Sequence, residues 1–142
     1  MPRILHVDDN PGDREILQLA LEAIGSEVAL EGAASGQEAL DRLVNDHPNG
    51  RPDLVLLDLN LGPIDGLVVL RRLRAVPDLA TLRIIILTSS IRAADRGVCL
   101  AAGANAYWTK PATWRGFSDI AADIMRLLSG DAPPATGAAV AG

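Results

Sequence analysis

The chain has 142 residues, 49% of them hydrophobic and 3% aromatic, with a formal charge of −5. That length suits one domain whose core is built from Leu, Ile, Val and Ala, and the acidic balance argues against a nucleic-acid-binding surface. Cys99 is the only cysteine, which excludes an internal disulfide and suits a reducing cytosol. The opening stretch "MPRILHVDDN" lacks the apolar region of a signal peptide, and no apolar run approaches a membrane span, so a cytoplasmic protein without membrane contact is expected.

Strand-like and helix-like segments alternate. "ILHV" (4–7) reads as a strand and is followed by a helix over 11–25, where Leu17, Ala20, Leu21 and Ile24 recur at helical spacing. Asn10 is a suitable cap, Pro11 suits the first helical position, and Gly25 is a plausible stop. "EVAL" (27–30), between Glu27 and Glu31, reads as an edge strand. A helix over 36–46 would turn Ala39, Leu40, Leu43 and Val44 inward, before a turn-rich connector at 45–53. "LVLLD" (54–58) is an apolar run ending in an acid. The helix over 65–76 would bury Val69, Leu70, Leu73 and Val76 and leave Arg71, Arg72 and Arg74 solvated.

"RIIILTSS" (83–90) is the strongest strand, with the unbroken β-branched run of a central parallel strand. A weaker helix over 92–103, a strand at 105–109 and a last helix over 112–130 follow. The last helix would turn Phe117, Ile120, Ala121, Ile124 and Leu128 inward. Trp114 and Phe117 read as core, as do His6 and Cys99, whereas His47 reads as solvated in its polar loop. Trp108 should point to the opposite face from Tyr107, either into the core or into a dimer contact. Residues 1–130 thus form one (βα)₅ domain, a doubly wound α/β fold with a parallel sheet. Residues 131–142, "DAPPATGAAVAG" from its first Asp, read as a disordered Ala/Pro/Gly tail.

In such a sheet, ligands bind at the carboxyl ends of the strands. The first strand ends in Asp8 and Asp9, the third in Asp58, the fourth in Thr88, Ser89 and Ser90, and the fifth in Thr109 and Lys110. Topology therefore brings three carboxylates, a hydroxyl and an ammonium to one edge. One lysine does not balance three acids, and a hard divalent cation would. Mg²⁺ suits one or two carboxylates plus a phosphate oxygen, an arrangement that prepares a carboxylate to receive a phosphoryl group.

The set Asp8-Asp9, Asp58, Thr88 and Lys110-Pro111 resembles the receiver domain of bacterial two-component response regulators, over residues 3–129. "VDDNPGDREILQLAL", "PDLVLLDLNL", "LTSS" and "YWTKPATWRGF" look most like the small stand-alone receivers that accompany phytochrome-type histidine kinases. The resemblance implies a CheY-like, flavodoxin-like fold of strand order 2-1-3-4-5. It implies Asp58 as phosphoacceptor from a kinase phosphohistidine, and Mg²⁺ bound directly by Asp9, through water by Asp8, and by Asp58 and the Asn60 backbone carbonyl. Lys110 would pair with Asp58 and then with the phosphoryl oxygens, Thr88 would bond the phosphoryl group, Tyr107 would be the aromatic switch, and Pro111 would follow a cis peptide bond.

The implied output is a protein contact, commonly a homodimer through the fourth helix, fifth strand and fifth helix, with no output domain in the same chain. One loop departs from the family: in "DLNLGPIDG", Gly62 takes the place of the usual proline, while Asp65 and Gly66 keep register. Two other functions compete. A haloacid-dehalogenase-type phosphatase wants a second Asp where Asn60 stands, and a phosphorylation-independent adaptor would have no need of the intact acid, hydroxyl and lysine set. Nucleotide binding is weaker still, since no glycine-rich phosphate loop occurs.

Overall fold

Apolar residues that alternate between the two faces of each strand decide the layering. A computed structural model describes residues 1–45 and 50–131. His47 and residues 132–142, nearly all of the proposed tail, lie outside the described residues. Five parallel strands, β1 (Arg3–Val7), β2 (Ala29–Ala33), β3 (Leu54–Leu57), β4 (Ile84–Thr88) and β5 (Ala106–Thr109), stand in the order β2-β1-β3-β4-β5. The helices are α1 (Pro11–Ala23), α2 (Gly36–Leu40), α3 (Gly66–Arg74), α4 (Ala93–Ala101) and α5 (Trp114–Leu128). The fold is the doubly wound CheY-like α/β fold, and β4 is buried along its whole length, as its β-branched run requires.

Successive strand residues point to opposite faces. Ile4, Leu54, Leu56, Ile85, Leu87, Ala106 and Trp108 pack with Leu17, Ala20 and Leu21 of α1 and with Phe117, Ile120, Ala121, Ile124 and Leu127 of α5. Leu5, Val7, Val55, Leu57, Ile84, Ile86 and Tyr107 pack on the other side, with Leu40 of α2, Val69, Leu70 and Leu73 of α3, and Cys99 of α4. Trp108 and Tyr107 do face opposite ways, and Trp108 is fully buried, so it is a core residue and not a dimer contact. No helix among the described residues is long and apolar enough to cross a membrane.

Local signals place the helix starts. Asn10 accepts from the backbone N–H groups of Gly12 and Asp13, Ser35 caps α2, Asp65 caps α3 through Val68 N, and Thr113 caps α5 through Gly116 N. Several expectations need correction. β2 begins at Ala29, two residues late, because it pairs in register with β1 only from Arg3↔Ala29 onward. α1 ends at Ala23, which leaves Ile24 exposed. α2 passes at Asp41–Asn45 into a π-helical turn; the wider turn keeps Leu43 buried and exposes Val44.

In α5 it is Leu127 that is fully buried, with Leu128 only partly so. Trp114 is 52% exposed, since it stands first in α5 and beyond the packed stripe. Arg74 is not a solvated residue: it donates to the carbonyls of Gly103 and Leu79 and to Asn105 Oδ1, tying the end of α3 to the turn before β5. Cys99 is buried as expected, and burial pushes its thiol up to about 11.

Candidate functional site

β1 hands its chain to α1 at Asp8, Asp9 and the Asn10 cap. Asp8 is fully buried, and its Oδ1 accepts the Asn10 N–H at 2.9 Å. β3 ends beside it, with the Asp58 N–H donating to Val7 O at 3.0 Å. Asp58 is buried too, and its Oδ1 accepts the Asn60 N–H at 3.2 Å. The loop that follows returns tightly. Gly66 N donates to Leu59 O, and a Cβ on Gly66 would stand 2.1 Å from Asp58 O, so only glycine fits there. Gly62 has φ +84°, a backbone that proline cannot adopt, so the departure from the family's usual proline comes with a loop path that proline is barred from.

Lys110 enters from the end of β5, its N–H donating to Thr88 O at 2.7 Å. Its ammonium is 12% exposed and lies 2.8 Å from each of three carboxylate oxygens, Asp8 Oδ2, Asp13 Oδ2 and Asp58 Oδ2. It donates hydrogen bonds to Asp13 and Asp58, while Asp8 Oδ2 is held as an ion pair without hydrogen-bond alignment. Burial works against the lysine's charge, and the hydrogen bonds to Asp13 and Asp58 together with the Asp8 carboxylate beside it overcome it, so the ammonium is held above its ordinary pKa. Burial likewise pushes the Asp8 carboxyl up, opposed by Lys110 and the Asn10 N–H.

Asp8, Asp9 and Asp58 each offer an oxygen, and these oxygens lie within 4.8 Å of one another, with Asp9 the exposed member. Acid oxygens in excess over a single ammonium are the donor set of a hard cation, so the residues fit a divalent metal.

Thr88 is fully buried, and its Oγ1 makes no hydrogen bond among the described residues. An orphaned buried hydroxyl costs stability unless a ligand completes it. Tyr107 is also buried, and its hydroxyl donates to Ser90 O at 2.9 Å. The Ser90 hydroxyl in turn donates to Asp95 Oδ2 at 2.6 Å, and Arg92 pairs with the same carboxylate. Burial raises the Tyr107 phenol, whereas the Ser90 hydroxyl and Arg92 hold Asp95 down.

The structure therefore gathers Asp8, Asp9, Asp58 and Lys110 and sets Thr88 on the adjoining strand end. The bond before Pro111 is trans, against expectation, and there is no cis peptide among the described residues. Trans is the intrinsically favoured state of such a bond, and Lys110 meets both its backbone partner and its three acids with it. Two participants escaped sequence reasoning. Asp13 is the third acid on the lysine, and Arg14 Nη1 donates to the Asp8 carbonyl. The available signal was position: a helix starting at the ligand edge puts its first turn there. His6 is buried as expected, with Nε2 3.7 Å from Asp8 Oδ2 and, among the described residues, no hydrogen bond on either ring nitrogen.

The chain is similar to known proteins in sequence and in fold. The chain is 42% identical over 109 residues to the response regulator MprA of Mycolicibacterium vanbaalenii, which covers 77% of this chain and 44% of that protein. A similar MprA from Mycobacterium avium is 41% identical over the same length. The chain thus spans less than half the length of these curated relatives. Among solved structures, the phosphorylated cyanobacterial phytochrome response regulator RcpA matches with TM-score 0.83 and 30% identity, over 94% of this chain and 99% of that one. The Mn²⁺-bound response regulator Rcp1 matches with TM-score 0.82 and 28% identity, over the same shares. The bacteriophytochrome response regulator AtBRR matches with TM-score 0.69 and 36% identity, over 81% and 86%. These likenesses are to phosphorylation-controlled signalling modules and not to metabolic enzymes. The profile of the response regulator receiver domain matches residues 4–120, and to that family the chain belongs.

Proposed function

We propose that residues 1–130 work as a phosphorylation-controlled response regulator receiver, with Asp58 as its phosphoacceptor. The observation that carries this is Lys110: one partly buried ammonium holds Asp58 and Asp8 at 2.8 Å, with Asp9 beside them. In the reaction an Asp58 oxygen bonds to phosphorus while the P–N bond to the donor's imidazole breaks, and the electron pair leaves with the ring nitrogen. Lys110 holds the charge gathering on the phosphoryl oxygens, and the unpartnered Thr88 hydroxyl donates to one of them. Mg²⁺, which Asp9, Asp58 and the Asn60 carbonyl would hold directly and Asp8 through water, supplies positive charge against those oxygens. Tyr107 acts as the switch, its hydroxyl reading the Ser90 carbonyl next to Thr88.

The donor is a histidine kinase. The likenesses to RcpA and AtBRR support one of phytochrome type. Signalling runs through protein contacts in the cytoplasm, not through nucleic acid or membrane. Exposed Ile91, Val98 and Leu100 around α4 and Trp114 on α5 support a homodimer through α4, β5 and α5. The test is phosphotransfer profiling against the histidine kinases of the same organism, in Mg²⁺, with Asp58→Asn as control. Transfer to the wild type and none to the variant is expected. Failure with every kinase would leave a phosphorylation-independent adaptor as the better reading.

A further inference from the structure

Asp13 has no place in the receiver's metal and phosphoryl machinery as described above, yet it makes one of the two aligned hydrogen bonds to Lys110. It stands in the first turn of α1, 24% exposed, and its oxygen is not among those of Asp8, Asp9 and Asp58 that cluster within 4.8 Å. We infer that Asp13 is a positioning residue that holds the Lys110 ammonium toward α1, and so sets how much of that cation is available to an anion on Asp58. The inference rests on Asp58 being the phosphoacceptor.

The geometry gives the sign. Lys110 is the only lysine of the chain, and it is shared among three carboxylates at equal distance. An ammonium has three protons to donate. A phosphoryl group on Asp58 needs one of them on its own oxygens, and every proton committed to Asp13 is withheld from that task. Asp13 also adds a negative charge beside the site. That charge repels an incoming anion and attracts an incoming cation. Removing it should therefore move the two ligands in opposite directions, which a general loosening of the α1 N-terminus would not do.

The experiment compares wild type with Asp13→Asn, which keeps the shape and removes the charge, and with Asp13→Glu, which restores the charge. The probes are Mg²⁺ alone and beryllofluoride at saturating Mg²⁺, followed by titration. The single lysine gives one assignable side-chain NMR signal, which reports on the ammonium directly. In Asp13→Asn we expect Mg²⁺ to bind about three- to tenfold more weakly and beryllofluoride more tightly by a similar factor. The lysine signal should shift before any ligand is added, and Asp13→Glu should return toward wild type. If Asp13→Asn does not fold, Asp13→Ser removes the same charge and carries the same expectation. Both ligands weakening together, or neither changing with the lysine signal unmoved, overturns the inference. A wild-type protein that ignores beryllofluoride overturns the Asp58 reading itself and this inference with it, an outcome distinct from a responsive wild type whose variant is no tighter.

Discussion

The two faces of the sheet are built differently. On one, α1 and α5 run 13 and 15 residues and bury continuous apolar stripes against Trp108 and its neighbours. On the other, α2 is five residues long before it widens into a π-helical turn. There α4 fully buries only Cys99, and Arg92 at its N-cap position makes no side-chain capping bond. Thr88, with its orphaned hydroxyl, and Tyr107, tied to a loop carbonyl, belong to this second face. The difference separates a tight face, packed by two long helices, from a looser one packed by several short elements, where α3 supplies Val69, Leu70 and Leu73 but α4 only Cys99. On the proposed role of Asp58, a phosphoryl group there would meet the looser face through Thr88.

The largest effect should come from breaking the tight face. Trp108 is fully buried among apolar residues, and truncating such a side chain costs about 3–5 kcal/mol. Trp108→Ala should lower the urea midpoint severely or prevent folding. Ile91 is 83% exposed at the start of the loose face, and Ile91→Ala should change stability by less than about 0.5 kcal/mol. Comparable losses for the two variants in urea denaturation would show that the faces are not energetically distinct.

The tight face was also the more legible in sequence. The spacing of Leu17, Ala20 and Leu21, and of Phe117, Ile120 and Ile124, fixes which side of α1 and α5 is buried, because a long helix repeats its signal. Short elements repeat too little: Val44 was misplaced by a π-helical turn that hydrophobic spacing does not encode, and β2 by a register set only by its partner strand. Arg74 looked solvated because nothing local to α3 shows that Gly103 and Asn105 come to meet it. At the site, the acids and the lysine were legible from strand ends, since topology alone brings those ends together. Asp13 was not, because it is carried in by a helix turn, and a single acid in a first turn reads as helix chemistry.

The tight face contains buried polar groups as well, among them His6, on the side of β1 that faces α1. Burial, reinforced by the nearby Lys110 and Arg14 charges, lowers its pKa from 6.5 to about 4. The unfolded chain therefore binds a proton between those values that the folded chain refuses. The associated stability is complete above pH 6.5 and is lost progressively as pH falls to about 4, amounting to about 3 kcal/mol at most. His6→Val suits a buried strand and has no such proton. The Tm advantage of the variant over wild type should grow as pH drops across that window and be flat above it. A difference that is constant with pH would mean that His6 is protonated as easily in the folded protein as in the unfolded one.

The smallest effect on stability, and the finest cut between the faces, lies at Tyr107. Tyr107→Phe keeps the ring that packs with Ile86 and Cys99 and removes only the hydroxyl's bond to Ser90 O. One neutral hydrogen bond is worth about 1 kcal/mol, so the Tm should fall by only a few degrees. The Ser90 carbonyl, however, loses the partner that fixes the loop beside Thr88, while Ser90 and Asp95 remain bonded. Amide exchange should accordingly quicken in the segment from Ser89 to Arg96 and stay unchanged in α1 and α5. Faster exchange in α1 and α5 as well would show that the loose face is not a separate unit but is held, through β5, by the same packing that holds Trp108.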